Sequence, residues 1–381
     1  MKALLVALAA LSCSVVLSAQ ERITLLFAGD LMQHQAQIDA ARTPQGGYDY
    51  SPCFSLVKEQ IKQADIAIAN LEVTLAGPPY RGYPSFSAPD EYLYAIRDAG
   101  FDILLTANNH CLDKGKKGVE RTLQMLDSLR IPHAGTYRNE AERRQKYPLF
   151  IRKNGFLIAF LNYTYGTNGI PVTPPQVVNC IDKETICRDI QSARARRPDA
   201  IIACMHWGEE YHSLPSREQQ ELAEWLLEKG VTHIIGSHPH VIQPMELRTD
   251  GLRQHVVVYS LGNFISNMSA PNTDGGLLFT LELEKYPLPP PLPPPYFQSQ
   301  CAVTSLPFML SHPYCRVSGC GYDLVWTIRP EFNREKNFIL HPVSLPSDSL
   351  PQEARKRLNI FVENSRKLLQ KHNIGIFENK K

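Results

Sequence analysis

The stretch Val231-Thr232-His233-Ile234-Ile235-Gly236-Ser237-His238-Pro239-His240 decides how the chain is read. Its first half is an apolar, β-branched run of the kind that forms a buried strand. Its second half delivers two histidines one residue apart. Side chains in extended backbone repeat their direction every two residues, so His238 and His240 are expected to face the same way. Two imidazoles on one side of a strand end can approach a single cation, or one can bind while the other guards the site. Neutral imidazole is the commonest protein ligand for first-row metals. Alone, the pair reads as surface or packing chemistry. Its company along the chain changes that reading.

Working outward, four more apolar runs end the same way. Ile23–Ala28 leads into Gly29-Asp30, Asp65–Ala69 into Asn70-Leu71-Glu72, Ile103–Ala107 into Asn108-Asn109-His110, and Ala200–Met205 into His206-Trp207-Gly208-Glu209-Glu210. In open α/β sheets the ligand crevice lies beyond the carboxyl ends of the strands. Asp30, Glu72, Asn109, His206, His238 and His240 are therefore expected to converge on one site. Glu209, Glu210 and Tyr211 would line its rim, Glu210 as a solvated loop residue. Arg81, Tyr83 and Lys114 are the cationic or hydrogen-bonding groups nearest these segments in sequence.

Between the strands lie helical patterns. Lys116 to Leu129 places Val119, Leu123, Leu126 and Leu129 at helical steps. Ser216-Arg217-Glu218-Gln219 forms a capping box ahead of a helix closed by Gly230, and Glu91 to Ala99 is ended by Gly100. Strands are expected at 157–162, 200–205, 231–236 and 255–260, the last two separated by a turn region over 247–254. Alternating strands and helices make a layered α/β domain. Further on, 323–329 and 337–341 read as strands. A final helix is expected with Ser349 as cap, Pro351 in its first turn, and Leu358, Phe361, Val362, Leu368 and Leu369 on its packing face.

The first residues carry a different message. Lys2, the apolar run Ala3–Leu11 and the small residues closing on Ala19 form a secretory signal peptide over 1–19. The protein is expected to be exported to the periplasm or cell envelope, with lipidation at Cys13 as the minor alternative. The expected organisation is a main domain over 20–284, a Pro/Cys-rich insertion over 285–320 that includes a polyproline run, and C-terminal strands and helix over 321–381 packing on the main domain. A formal charge of +2 over 381 residues supplies no basic field, so nucleic acid is not an expected partner. Export makes disulfides possible; Cys180/Cys187 and Cys315/Cys320 are close enough to close short loops, while Cys204 reads as a buried free thiol.

Taken in order, Gly29-Asp30, Asn70-Leu71-Glu72, Ala107-Asn108-Asn109-His110-Cys111-Leu112-Asp113-Lys114-Gly115, His206-Trp207-Gly208-Glu209-Glu210-Tyr211, Gly236-Ser237-His238-Pro239-His240 and Tyr259-Ser260-Leu261-Gly262-Asn263-Phe264 resemble the poly-γ-glutamate capsule-synthesis (CapA/PgsA) family. That family is similar to the calcineurin-like metallophosphoesterases. The resemblance implies a four-layer α/β/β/α sandwich of two mixed sheets, and divalent metal of the Mn²⁺, Zn²⁺ or Fe²⁺ type. It implies Asp30, Glu72, Asn109, His206, His238 and His240 as ligands, with His110 as the acid for the leaving group. Asp113 would orient His110, or else cap the helix that follows. The implied partner is an anionic polymer or phosphoester, handled within a membrane-associated capsule-synthesis machinery. The chain would either hydrolyse that partner or bind it as a scaffold. One departure bears on the metal count: where the phosphoesterase pattern has Asp-x-His, this chain has Asp30-Leu31-Met32. Thioether sulfur is a poor ligand for hard cations. His34 could substitute or be a loop residue, and one metal, two metals or different chemistry stay open.

Overall fold

The computed structural model describes residues 21–251, 253–286 and 314–380. The expected signal peptide, Cys13, the polyproline run and Cys301 lie outside the described residues.

Two mixed sheets form the centre. The larger has nine strands. Ile339–Pro342, Tyr314–Ile328, Gly275–Tyr286, Arg22–Leu31, Ile66–Leu71, Ile103–Leu105 and His133–Ala134 lie in that order, with Asn263–Ile265 and Phe377–Glu378 paired beside it. Six strands make the smaller: Met245–Asp250, Arg253–Val258, His233–Ser237, Ala200–His206, Phe156–Thr164 and Leu149–Lys153. The site-bearing strands are parallel neighbours within each sheet, Arg22–Leu31 with Ile66–Leu71 and Ile103–Leu105, and Ala200–His206 with His233–Ser237.

Strand alternation divides the side chains between two cores. Leu25, Phe27, Ile66 and Ile68 of the large sheet meet Ile158, Phe160, Ile202 and Val258 of the small sheet in the space between them. Their neighbours Leu26, Ala28, Ala67 and Ala69 face outward onto Phe54, Leu93, Ile96 and Leu126. Ala159, Leu161, Ile201 and Ala203 likewise face Ile186, Ile190, Ala223 and Leu226. Helix, sheet, sheet and helix are thus stacked in four layers. Both faces of each sheet are covered, which is why the strands read as continuous apolar runs.

Several expected boundaries shift. The helices run Asp90–Ala99, Gly115–Ser128 and Arg217–Lys229. Gly100 and Gly230 close two of them in the left-handed conformation, where a residue without Cβ carries no penalty. The final helix is Gln352–His372, with Pro351 rather than Ser349 at its cap. The 247–254 stretch is not a turn region. It is most of a hairpin, Met245–Asp250 with Arg253–Val258, and the latter runs parallel to His233–Ser237. The ladder between Gly275–Tyr286 and Tyr314–Ile328 extends to Tyr286 opposite Tyr314, so residues 285–286 and 314–320 of the expected insertion are strand. The seven described cysteines, Cys180, Cys187, Cys315 and Cys320 among them, are free thiols.

Candidate metal centre

The large sheet brings Asp30 and Glu72, both fully buried, to the ends of adjacent parallel strands. Residues 106–110 continue from the next strand and place Asn109 and His110 alongside. The small sheet brings His206 at the last position of Ala200–His206, opposite Ser237. His238 and His240 follow Ser237, but not by strand alternation. The strand stops at Ser237, and both histidines have positive φ, 99° and 58°. Such backbone costs roughly 1–3 kcal/mol per non-glycine residue and persists only where its surroundings enforce it. Here the turn directs the His238 N–H to Asp30 Oδ2 at 3.3 Å. The expected same-face pair exists, with ring centroids 5.8 Å apart, but bent backbone produces it.

Donor atoms of Glu72, His238 and His240 lie within 4.8 Å of one another, and so do those of Asp30, Glu72 and His206. Glu72 is common to both groups. Asn109 turns its Oδ1 to His206 Nε2 at 2.8 Å and is steadied by donating to Asn168. His206 Nδ1 meets Ser237 Oγ, and His240 Nδ1 meets Asn263 Oδ1 at 2.9 Å and Asp30 Oδ2 at 3.4 Å. All six residues expected from sequence to be ligands are therefore gathered.

His110 Nδ1 lies 2.8 Å from Asp113 Oδ2, which also accepts the Phe86 N–H. Asp113 does not cap the following helix, whose cap residue is Lys114. His110 stands close enough to His206 and His238 to weigh on their protonation.

Met32 packs into the core behind the large sheet. His34 caps the short helix Gln35–Ala40, its Nδ1 facing Gln37 Oε1 and the Asn267 N–H. Neither joins the donor set. Asn70 braces that set instead, its Nδ2 donating to Asp30 Oδ1 at 2.7 Å and lying 3.3 Å from both Glu72 Oε2 and His206 Nδ1. Asn108 braces Asn70 by donating to its Oδ1 and to Leu71 O. Asn70 was legible in principle, because it precedes Glu72 by two residues. Asn263, within Tyr259–Phe264, is uncharged and gives no signal of a role. Tyr165, whose ring lies 4.4 Å from that of His238, follows a strand, Phe156–Thr164, whose end carries neither acid nor imidazole.

The electrostatics favour a cation. Burial pushes the Asp30 carboxyl up, yet the His240 hydrogen bond and the His206 and His240 charges outweigh it and hold Asp30 below the carboxylate range. Burial, then the Asp30 charge, push Glu72 well above it. Burial and the His238 ring drive His206 far down, and burial with His240 brings His238 down to about 3. Burial lowers His240 too, but Asp30 reverses it and its pKa is raised. The upward shifts of Glu72 and His240 both favour protons that offset the buried Asp30 charge, a task one divalent ion would perform instead. Among the described residues, Glu72 Oε1 and His238 Nδ1 are buried without hydrogen-bond partners. Orphaned buried polar atoms of that kind are costly, and with the convergent carboxylates and imidazoles they fit a divalent metal.

Comparison with known proteins identifies the family. The family model described as "Bacterial capsule synthesis protein PGA_cap" matches residues 24–268. The "Capsule biosynthesis protein CapA" of Bacillus anthracis is 27% identical over 276 residues, 69% of this chain and 64% of that protein. "PGA biosynthesis protein CapA" of Bacillus subtilis (strain 168) is 28% identical over 273 residues, 68% of this chain and 67% of that one. This chain thus spans about two thirds of the length of these relatives. Among solved structures, 5′-nucleotidase from Candida albicans SC5314 aligns with 91% of this chain and 58% of its own, at 10% identity and TM-score 0.42.

Proposed function

The chain belongs to the PGA_cap family of bacterial capsule synthesis proteins, and from that membership we propose that it hydrolyses a phosphoester, metal-dependently, in making or processing an anionic capsular or envelope polymer. The relatives' names make poly-γ-glutamate the first polymer to test. Export to the envelope, beside membrane-associated synthesis machinery, belongs to the same proposal. The observation that carries it is the buried donor set with two orphaned atoms, Glu72 Oε1 and His238 Nδ1.

Asp30, Glu72, Asn109, His206, His238 and His240 would hold Mn²⁺, Zn²⁺ or Fe²⁺. When bound, such an ion supplies Lewis acidity and an acidified water. The chain's own residues do the rest. Asp113 fixes the His110 tautomer by accepting from Nδ1, which leaves Nε2 to hold the proton for the leaving oxygen. Asn70 keeps the Asp30 carboxylate turned toward His238 and His240. Lys114 and Arg81, close enough to lower the Lys114 pKa after burial, offer positive charge on the Asp113 side.

Elemental analysis of purified wild type and Asp30→Ala, together with a phosphoester and poly-γ-glutamate hydrolysis screen, tests the reading. Stoichiometric metal and turnover in wild type alone are expected. A wild type that stays metal-free after incubation with these ions sinks it. Metal without turnover on any substrate would instead favour a polymer-binding scaffold.

A further inference from the structure

Above the donor set stand three tyrosines with much of their surface open: Tyr83 is 69% exposed, Tyr165 48% and Tyr211 48%. Large apolar rings left in water around a buried polar centre usually mark a ligand site. Tyr165 and Tyr211 sit directly above site histidines, and Tyr83 sits above one through Phe86. Tyr165 lies 4.4 Å from the His238 ring and stacks at 6.4 Å on His206. Tyr211 lies 6.4 Å from His240. It is held in a left-handed turn, φ 67°, with its N–H donated to Pro239 O. Tyr83 lies 6.3 Å from Phe86, whose ring is 4.6 Å from His110. Glu210 is near both Tyr165 and Tyr211, and Tyr83 is near Tyr211, so the three rings lie on the same side of the site. Behind burial as the main cause, these neighbours keep the Tyr165 and Tyr211 phenols at about 12, neutral donors at ordinary pH.

The arrangement discriminates among ligands. A nucleobase asks for a slot between parallel rings, and among the described residues none of the three tyrosines pairs with another. The angles they make with their underlying rings also differ, 39°, 36° and 62°. A polycarboxylate such as a γ-glutamate chain would meet the exposed Glu209 and Glu210 on the rim. A pyranose suits the three rings better. Its C–H faces pack on separate aromatic faces, and its hydroxyls reach phenols, Glu210 and the amide of Asn168.

We infer that Tyr83, Tyr165 and Tyr211 form a collar that binds the sugar ring of a glycosyl phosphate, with the phosphate directed to the histidine cluster. This rests on the proposed function only in taking the cluster as the place where phosphate binds.

The test is calorimetric titration of the full chain, with and without Mn²⁺. The probes are α-D-glucose 1-phosphate, N-acetyl-α-D-glucosamine 1-phosphate, adenosine 5′-monophosphate, inorganic phosphate and a γ-linked glutamate trimer. At least one glycosyl phosphate should bind about tenfold tighter than the other three probes, the scale of one or two ring contacts. Tyr165→Ala/Tyr211→Ala should erase that preference while leaving phosphate affinity and metal content unchanged. Tightest binding of the nucleotide or the trimer, equal binding of all probes, no binding at all, or a preference that survives the double substitution overturns the collar. A preference that persists in protein without metal or turnover overturns the hydrolytic reading and leaves the collar standing.

Discussion

The two sheets contribute opposite chemistry to one centre. The nine-stranded sheet supplies the acids and amides Asp30, Asn70, Glu72 and Asn109; the six-stranded sheet supplies the imidazoles His206, His238 and His240. Asp30 and Asn70 lie within strands, Asp30 where the register of its strand shifts, and Glu72 directly follows its strand. Two of the three imidazoles sit in left-handed backbone beyond a strand end. Neither sheet alone holds a neutral donor set. The cluster becomes electrically tolerable only where the sheets face each other, and this places the site at their common carboxyl edge.

The largest test of this division removes the residue that both donor groups share. Glu72→Ala should abolish stoichiometric metal retention, because each group of three loses a member. His238→Ala breaks one group and should leave weaker but measurable binding. Equal losses in the two variants, read by elemental analysis after dialysis, would mean that the two donor groups do not hold metal separately. Next in size is the proton donor, which belongs to the large sheet yet ligates nothing. His110→Ala should lower phosphoester turnover by roughly 10²–10⁴-fold with metal content intact, the usual weight of general acid catalysis. Asp113→Asn should cost less, about 10–100-fold in turnover, with metal content again intact.

How much of this was readable beforehand follows the same division. Asp30, Glu72 and His206 were legible because a strand's direction and its apolar run announce where it ends. The convergence of His238 and His240 was anticipated for the wrong reason: alternation predicted it, whereas a turn with φ of 99° at His238 produces it. Local backbone strain enforced by tertiary contacts leaves no periodic signature. Asn70's placement depends on the neighbouring Asp30 strand, and Tyr165's on a loop, so one-dimensional patterns under-reported both. The hairpin at 245–258 escapes the pattern because its polar inner stretch, 247–254, carries too few apolar residues to signal two short strands. The layering was clear from alternating strands and helices, and the strand order was not, since pairing partners such as Arg22–Leu31 and Gly275–Tyr286 lie far apart in sequence.

A smaller effect contrasts two uses of histidine within a single run. His233 begins the strand that leads to His238, and it is structural: its Nδ1 accepts the Val256 N–H at 3.1 Å, joining neighbouring strands. Burial, with His255 adding to it, lowers its pKa from 6.5 to about 3. The unfolded chain therefore takes up a proton below pH 6.5 that the folded chain refuses until about pH 3, and stability falls as pH drops through that window. At pH 5 the loss from this residue is about 2 kcal/mol. In metal-saturated protein, His233→Gln should flatten the decline in denaturation midpoint between pH 7 and pH 5. An unchanged slope would show that other groups govern acid sensitivity.

The smallest expected change separates scaffold from site. Ser216 accepts the Gln219 N–H, and Gln219 Oε1 accepts the Ser216 N–H in return, so two free donors at the start of the Arg217–Lys229 helix are satisfied reciprocally. The same Gln219 donates to Gln243 Oε1, and Gln243 Nε2 reaches His212 O and Leu214 O in the loop that carries Tyr211. A side chain at Gly208 would strike the Gln219 amide, so this cap is wedged under the residues that follow His206. Ser216→Ala removes one acceptor and should lower stability by about 1 kcal/mol, measured by chemical denaturation. If the cap only supports the helix, metal content will not move. If the bonds through Gln219 and Gln243 also position the Tyr211 loop, the same substitution will weaken binding at the mouth while Asp30, Glu72 and the histidines keep their ion. Loss of the ion itself would mean that the imidazole side of the centre depends on this outer helix, and that the large sheet's carboxylates do not hold metal independently of it.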